Sequence, residues 1–261
     1  MRGICQLTGS HGEFVDAHLL PKALTRAGRT KGEKFVEHGP SANRPQRRAS
    51  SWYDRELVTQ EGESLLQRFD DHGITELRRC GLVWSAANSL DASEPIPLFW
   101  TAFRAARVRS KKPKRLRMFV LSLLWRAGAT NREEFVDFSM PQDEINHLSE
   151  LLNRNEVGDE RDFPTFFLYH TGKRYEHNHT PIYQRSRMHG SEIPADHYRF
   201  FLDGLVIFCG HSNDQNPFWQ KRNDFAVGFK PEFGVFIQEF IESRQYRDLG
   251  DVISLLNEQE A

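Results

Sequence analysis

The chain reads VDAHLLP at residues 15–21 and WYDRELVTQEGE at residues 52–63. Polar and apolar residues alternate before His18, and this alternation predicts a strand that ends at the histidine. The intervening residues 25–51 are basic, rich in glycine and proline, and without apolar periodicity, which is typical of a long loop. After the second segment, apolar residues recur at helical spacing. The two segments therefore predict a strand, a loop and a helix in succession.

A short hairpin is expected upstream, where CQLTG at residues 5–9 leads into a turn at residues 9–12 and a second alternating strand at residues 13–17. In this order of elements the chain resembles the HNH endonucleases, a family built on a ββα-metal module. The resemblance implies that His18 is the general base, that Asp54 orients the imidazole, and that Glu63 is a metal ligand on the helix. It also implies that residues 1–85 form an HNH-like ββα-metal module.

The cysteine positions depart from the family pattern. Many members hold a structural zinc with four cysteines, whereas this chain has Cys5 at the first position and Thr8, Thr59 and Gly62 at the other three. One thiolate cannot close a tetrahedral zinc site. We therefore expect no structural zinc and a hairpin that is held by packing.

The position beside the base departs as well, because Ala17 stands where many active members have a metal ligand. Asp16 is expected on the same strand face as His18, since strand side chains repeat every two residues, so it could replace that ligand. The second carboxylate would come from Glu63 or Glu61. Oxygen ligands of this kind favour Mg²⁺ or Mn²⁺, and we expect one of these ions as the cofactor.

Hydrolysis of a phosphodiester explains these residue types. A histidine with a pKa of about 6.5 suits the deprotonation of water, and a divalent cation stabilises charge on the leaving oxygen. The leading hypothesis is a metal-dependent endonuclease of DNA, acting as a bacterial or phage defence component. The alternative is a catalytically inactive HNH-like scaffold, with His18 in a structural role, that serves as a nucleic-acid or protein binding subunit.

Charge is distributed unevenly along the chain, although the formal net charge is −1. Residues 104–117 contain eight basic residues and no acid, whereas residues 131–162 contain ten acids and three arginines. The basic residues either bind a nucleic acid, with DNA favoured, or face the acidic part of the same chain. The expected phosphate contacts are Arg47, Arg48, Arg104, Arg107, Arg109, Lys111, Lys112, Lys114, Arg115 and Arg117.

The rest of the chain predicts an α+β fold with a helical region over residues 86–160 and a mixed or antiparallel sheet with helices over residues 161–261. Helical spacing predicts helices at residues 56–79, with a break at Gly73, and at residues 98–108, 115–130 and 142–153. Aromatic and β-branched residues predict strands at residues 163–169, 181–187, 197–209 and 225–229.

Histidines are frequent in the C-terminal region. His177 and His179 lie two positions apart on an extended segment, and Cys209 and His211 repeat the spacing. These four residues could ligate a metal ion. The competing interpretation is that they are turn and loop residues with ordinary hydrogen bonds.

Composition limits the class of protein. Apolar residues make up 38% of the chain, charged residues 27%, and the mean hydropathy is −0.62. The longest apolar run falls far short of the roughly 20 residues that span a bilayer, and the first residues lack the pattern of a signal peptide. Three scattered cysteines are too few for a disulfide framework. We expect a cytoplasmic protein with reduced thiols and no membrane partner.

Overall fold

The computed structural model describes residues 1–25, 35–39, 46–48, 51–97, 104–172, 177–187, 193–220 and 224–260. Within these ranges the strands are β1 (Arg2–Ile4), β2 (His11–Glu13), β3 (Ala17–His18), β4 (Phe35–His38), β5 (Gln46–Arg48), β6 (Tyr53–Asp54), β7 (Ala92–Ile96), β8 (Arg104–Arg109), β9 (Thr165–Thr171), β10 (His177–Arg187), β11 (Pro194–Leu202), β12 (Leu205–Cys209) and β13 (Glu232–Glu239). The α-helices are α1 (Gln60–Arg79), α2 (Pro113–Ala129), α3 (Gln142–Arg154), α4 (Pro217–Gln220) and α5 (Arg244–Glu260).

The N-terminal part consists of two small antiparallel pairs followed by a helix. Strands β1 and β2 form a hairpin, and β3 pairs with β6. A hairpin was expected here, but its second strand is His11–Glu13 and not residues 13–17. Helix α1 begins shortly after β6, and a bridge between Phe14 and Thr59 joins the hairpin to the start of this helix. The polypeptide therefore forms a strand pair and a helix around His18.

Three helices pack in chain order, α1 on α2 and α2 on α3. Helices α2 and α3 confirm the helices expected at residues 115–130 and 142–153. The break expected at Gly73 is wrong, because α1 is continuous. A Cβ at this position would lie 2.2 Å from Cγ of Phe119, so Gly73 allows the close approach of α1 to α2.

In the described part of the chain, one sheet contains nine strands in the order β5-β4-β10-β11-β12-β9-β13-β8-β7. The pairs β4–β10 and β9–β13 are parallel, and the other pairs are antiparallel. The sheet is mixed, and together with the helices it agrees with the expected α+β fold class. It takes strands from all three of the expected regions, and their buried residues form one hydrophobic core.

Two sequence-based assignments are corrected by the sheet. Residues 104–108 of the helix expected at 98–108 belong to strand β8 (Arg104–Arg109), which pairs between β7 and β13; residues 98–103 lie outside the described ranges. The strand expected at 225–229 is instead a series of turns, and the strand begins at Glu232. The expected strand at 197–209 is two strands, because Asp203 and Gly204 adopt positive φ angles of 50° and 83° and form a tight turn.

Among the described residues, no helix has both the length and the apolar character that crossing a membrane requires. The three cysteines, Cys5, Cys80 and Cys209, all lie within the described ranges. Each is buried and has a free thiol.

Candidate functional site

The hairpin and the start of α1 meet at Cys5, Thr8, Thr59 and Gly62. Sγ of Cys5 accepts a hydrogen bond from the backbone N–H of Thr8 at 3.5 Å. A Cβ on Gly62 would lie 2.7 Å from the same sulfur, so a glycine is needed there. Burial acts to raise the pKa of Cys5, but hydrogen bonds from Thr8 and the backbone of Thr59 outweigh burial and lower it. These contacts bring the four positions together.

The register of β3 and β6 decides which side chains share a face with His18. His18 lies opposite Tyr53, and Ala17 lies opposite Asp54. Directly opposed residues of antiparallel strands project to the same face, and the next pair projects to the other face. His18 and Tyr53 therefore share one face of the ribbon, while Asp54 is on the other.

The orienting role expected for Asp54 is corrected by this register. One oxygen of its carboxylate accepts a hydrogen bond from the backbone N–H of Glu56 at 2.8 Å, and the other accepts one from the Thr130 hydroxyl at 2.6 Å. Asp54 thus connects the entry loop of α1 to the end of α2. It does not engage the His18 ring.

Asp16 is exposed and precedes the two-residue strand β3. Its Oδ1 accepts a hydrogen bond from Nε of Arg55 at 3.0 Å, in an ion pair whose side chains are 60% and 69% exposed. The Arg55 guanidinium also lies 5.2 Å from the centre of the Tyr53 ring. Exposed pairs of this kind contribute roughly 0–1 kcal/mol, so Asp16 can exchange Arg55 for another cation at little cost.

The His18 imidazole is half-buried. It makes no hydrogen bond with a described residue, and neither ring nitrogen is among the buried, unpartnered atoms of the described chain. Burial lowers the pKa of His18, the positive charges of Lys22 and Arg126 lower it further, and Asp70 and Asp16 act in the opposite direction. The ring is therefore neutral at pH 7 and can accept a proton.

Arg126 and Asp70 complete the surroundings of His18, and sequence reasoning missed both. Arg126 is buried and donates from Nη1 to the carbonyl oxygen of His18 at 3.0 Å and to Oδ2 of Asp70 at 3.0 Å. Its Nη2 donates to the other oxygen of Asp70, which makes the pair bidentate. Ser122, one turn earlier on α2, accepts the remaining hydrogen bonds of this guanidinium. Arg126 therefore connects the end of β3 to both long helices.

The Glu63 carboxylate is half-buried near the same pair. Burial raises the pKa of Glu63, Arg126 acts in the opposite direction, and Asp70 adds to the rise. No described residue donates a hydrogen bond or forms an ion pair with this side chain. Glu61, the alternative carboxylate, is exposed and accepts a hydrogen bond from the Ser10 hydroxyl at 2.7 Å. Of the two, Glu63 is the carboxylate that lacks a partner.

Metal-ligating side chains do not form a complete cage in the described residues, because no three of His, Cys, Asp or Glu are grouped for an ion there. Asp16 and Glu63 nevertheless offer carboxylate oxygens of the type that Mg²⁺ and Mn²⁺ prefer. Mg²⁺ sites commonly use one or two carboxylates and complete the coordination with water and substrate phosphates. The donor type of these two residues suits an ion of that kind.

In the basic segment, residues 104–117, the basic side chains differ in their exposure to solvent. Arg117 is fully buried, its guanidinium donating to the carbonyl oxygens of Phe163 and Asp162, so it is removed from the set of expected phosphate contacts. Arg107 is half-buried. The side chains of Arg47 and Arg48 lie outside the described residues, although their backbone forms part of β5. The exposed members are Arg104, Arg109, Lys111, Lys112, Lys114 and Arg115.

A buried carboxylate on α1 holds the backbone of the segment that carries the exposed lysines. Oε1 of Glu76 accepts hydrogen bonds from the Ser110 hydroxyl at 2.7 Å and from the backbone N–H groups of Lys111 and Lys112 at 2.5 and 3.3 Å. Arg79 donates to both carboxylate oxygens. The basic segment is thus attached to the same helix that carries Glu63.

Replacing Glu76 by glutamine is expected to destabilise the protein by about 2 to 3 kcal/mol at pH 7, because hydrogen bonds to a buried charge are lost. Burial acts to raise the pKa of Glu76, but hydrogen bonds from Arg79, Ser110 and the Lys111 backbone lower it to about 2. A lowered folded-state pKa stabilises the fold above the unfolded value, about 4.5, and this stabilisation is lost as the pH falls toward 2. Urea unfolding at pH 7 and pH 3 measures the difference.

The exposed Glu232 provides the control for this experiment, since its contact with Arg109 is 3.9 Å long. Glu232→Gln should change the unfolding free energy by less than about 0.5 kcal/mol. An effect of Glu76→Gln that is equally large at pH 3 would show that the loss does not arise from the carboxylate charge.

The four C-terminal residues considered as a zinc site do not meet. His177 and His179 pack near Phe201, whereas Cys209 pairs with Tyr198 at the other end of the same strands. Burial raises the pKa of Cys209 to about 12. His211 contacts the carboxylate of Glu144 through Nδ1 at 3.0 Å. A zinc site formed by these four residues is therefore excluded.

Comparison with known proteins gives no match: no family model, no curated protein and no solved structure resembles the chain. Any assignment of function therefore depends on the chemistry of the site itself.

Proposed function

We propose that the chain is a metal-dependent endonuclease that hydrolyses phosphodiester bonds in DNA, with an active unit similar to that of the HNH endonucleases. One observation carries the proposal. A neutral, half-buried imidazole and a half-buried carboxylate without a partner among the described residues both feel the charges of one buried ion pair, Arg126 and Asp70. A base and an anionic cation ligand are the two groups that this hydrolysis requires.

His18 acts as the general base in this proposal. It takes a proton from water, the water oxygen attacks phosphorus, and the bond from phosphorus to the leaving sugar oxygen breaks. The lowered pKa keeps the ring unprotonated at neutral pH, so the base needs no prior loss of a proton. Arg126 donates a hydrogen bond to the backbone carbonyl oxygen of His18. This contact holds the backbone from which the imidazole projects.

Glu63 and Asp16 would hold the divalent cation. A cation there supplies positive charge to the phosphate oxygens as the bond breaks. Burial disfavours the charged form of Glu63, and a nearby cation would offset that effect. Asp16 would have to exchange its exposed ion pair with Arg55.

The basic segment would bind the DNA backbone beyond the cleavage site. Glu63 and Glu76 are both on α1, and the 13 positions between them correspond to about 20 Å along a helix axis. This length corresponds to about six nucleotides of one DNA strand. A duplex that lies along α1 could therefore contact the active unit and the exposed lysines together.

A second candidate function is favoured by the carboxylates that already have partners. Asp54 is bound to Thr130, Asp70 to Arg126 and Asp16 to Arg55. If these contacts persist with DNA present, the ββα unit is an inactive scaffold. The protein would then be a binding subunit for nucleic acid or for another protein.

Cleavage of supercoiled plasmid separates the two candidates. The wild-type protein is incubated with plasmid in Mg²⁺ or Mn²⁺, and in EDTA. Nicked circles that form with the metal ions and not in EDTA support the nuclease. Plasmid that is retained in a complex and stays uncut with both ions supports the binding subunit.

Salt dependence tests the proposed DNA surface. If the six exposed basic residues each neutralise a phosphate, the logarithm of the DNA association constant should fall with the logarithm of salt concentration with a slope of about −5. The triple variant Lys111→Gln, Lys112→Gln, Lys114→Gln should reduce the magnitude of the slope by about 3. Fluorescence anisotropy with a labelled duplex measures both values.

Arg185→Gln is the matched control, because Arg185 is exposed and belongs to β10, which is separated from β8 by four strands of the sheet. Its slope should equal that of the wild type. An unchanged slope in the triple variant would remove the basic segment from the proposed interface.

A further inference from the structure

Four basic side chains meet on one face of the sheet, away from the site described above. His38 on β4 pairs in register with His179 on β10, and Phe201 on β11 is the partner of His179 on the other side. The ring centres of His38 and His179 are 4.6 Å apart, and those of His38 and His177 are 5.6 Å apart. Arg199 on β11 is close enough to lower the pKa values of His38 and His179. All four side chains are buried.

The Arg199 guanidinium has no anionic partner among the described residues. Its Nη2 donates to Oε1 of Gln245 at 2.7 Å. The carboxylate of Asp248, on the next turn of α5, is 3.6 Å from Arg244 and makes no ion pair with Arg199. Burial lowers the pKa of Arg199 to about 10, and the negative charge of Asp248 acts in the opposite direction. A buried guanidinium that makes no direct ion pair is costly, which favours the binding of a further anion.

The imidazoles provide an independent observation. Nε2 of His38 is buried and has no hydrogen-bond partner. Nδ1 of His179 lies 2.5 Å from the carbonyl oxygen of Thr180, and because a carbonyl only accepts, the proton of a neutral ring is on Nδ1. Burial lowers the pKa of His38 to about 4 and that of His179 well below its ordinary value. Both rings are therefore neutral at pH 7 and able to gain a proton.

We propose that Arg199, His38 and His179 form a binding site for a small oxyanion of the phosphate class, with His177 and Gln245 as neighbours. The planar guanidinium matches two phosphate oxygens. Negative charge beside the rings favours their protonated forms, so one imidazole takes up a proton from solvent and then donates to a further oxygen. A metal ion is disfavoured by the charge of Arg199, and no group of three ligands suited to a metal is present among the described residues. The site shares no residue with the proposed nuclease site and does not depend on it.

Other charged and titratable groups surround this site on the neighbouring elements, and any pH dependence includes their contributions. They are Glu37 on β4, His170 on β9, His177 on β10, and Arg244 and Asp248 on α5.

Calorimetric titration with inorganic phosphate tests the proposal on the full chain. The wild type should bind one phosphate, more tightly at pH 6 than at pH 8. At pH 6 the binding heat should vary with the ionisation heat of the buffer, because a proton is taken up. Arg199→Gln should weaken binding by about 10- to 100-fold, the expected loss for a charge-assisted contact. Glutamine has a volume similar to that of histidine, so His38→Gln should fold. It should lose most of the proton uptake.

Three controls identify which part of the protein gives rise to a measured binding heat. His197 is another buried histidine of lowered pKa, and its ring forms hydrogen bonds with Gln184 and with the carbonyl oxygen of Ala195. His197→Gln should leave phosphate affinity unchanged. The triple lysine variant should retain binding, which separates this site from the exposed basic segment. A 5′-phosphorylated oligonucleotide should not compete, because the side chains that form the proposed site are buried. Competition by the oligonucleotide would assign the anion to the end of a nucleic acid and overturn the small-ligand proposal.

The proposal is overturned if the wild type binds no phosphate at concentrations up to 10 mM (about 3 kcal/mol of binding free energy), or if Arg199→Gln and His38→Gln both bind as the wild type does. Binding of Zn²⁺ that requires His38 and His179, without phosphate binding, would also overturn it in favour of a metal site. If Arg199→Gln does not fold, the proton uptake of His38→Gln decides the outcome.

Discussion

Replacing Arg126 by methionine is expected to destabilise the protein by about 3 to 5 kcal/mol, the range for removing one partner of a buried ion pair. The guanidinium is almost fully buried and binds both oxygens of Asp70 as well as the carbonyl oxygen of His18. Methionine leaves the Asp70 carboxylate without its counter-charge and the carbonyl without its donor. Urea unfolding followed by tryptophan fluorescence measures the change in the unfolding free energy.

Arg132 offers a matched control, since it forms an ion pair with Glu134 at 2.7 Å with side chains 42% and 25% exposed. Arg132→Met should cost less than about 1 kcal/mol. In the double variant Arg126→Met, Asp70→Asn, the loss should be smaller than the sum of the two single losses, because the uncompensated charge is gone. A loss below 1 kcal/mol for Arg126→Met alone would show that the buried pair does not support this part of the fold.

The helices were predictable from the sequence where apolar periodicity was strong. Helix α2 follows its apolar run closely, and α3 follows the stripe that begins near Ile145. Gly73 misled the prediction, because glycine weakens a helix in isolation. In the protein its missing side chain makes room for Phe119 on α2, a contact that local sequence does not reveal.

Strand β8 shows why the middle region was misassigned. Its sequence, RAARVR, consists mostly of residues with high helix propensity. The strand is held by pairing with β13, where Arg104 lies opposite Ile237 more than 100 positions along the chain. Long-range pairing of this kind overrides local propensity, so the expected helical region contributes two strands to the sheet.

The proposed site was predictable in part. The strand period predicted Asp16 and His18 on one face. In the structure Asp16 precedes the two-residue strand β3 and forms an ion pair with Arg55. The role of Asp54 depended on the register of a strand pair separated by a long loop, which the sequence alone did not define. Arg126 could have been found as a lone charge within an apolar helix, because such a residue usually has a buried partner. Asp70, seven positions after Glu63 on α1, lies on the same helix face.

Replacing His18 by alanine is expected to slow metal-dependent DNA cleavage by about 10² to 10⁴-fold, the usual contribution of a general base. Folding and DNA binding should change little. The imidazole makes no hydrogen bond with a described residue, so its removal leaves no buried donor or acceptor without a partner. Arg126 contacts the backbone carbonyl of residue 18, and this contact remains in the alanine variant. His11 on β2 is exposed, and His11→Ala should cleave at the wild-type rate.

The most direct test of the account is the single-turnover rate of plasmid nicking in Mn²⁺ for the wild type, His18→Ala and His11→Ala, at protein concentrations that saturate the DNA. A general-base role of His18 predicts nicking by the wild type and by His11→Ala at equal rates, and a rate at least about 100-fold lower for His18→Ala. Equal rates for all three proteins, or no metal-dependent nicking by the wild type, would contradict it.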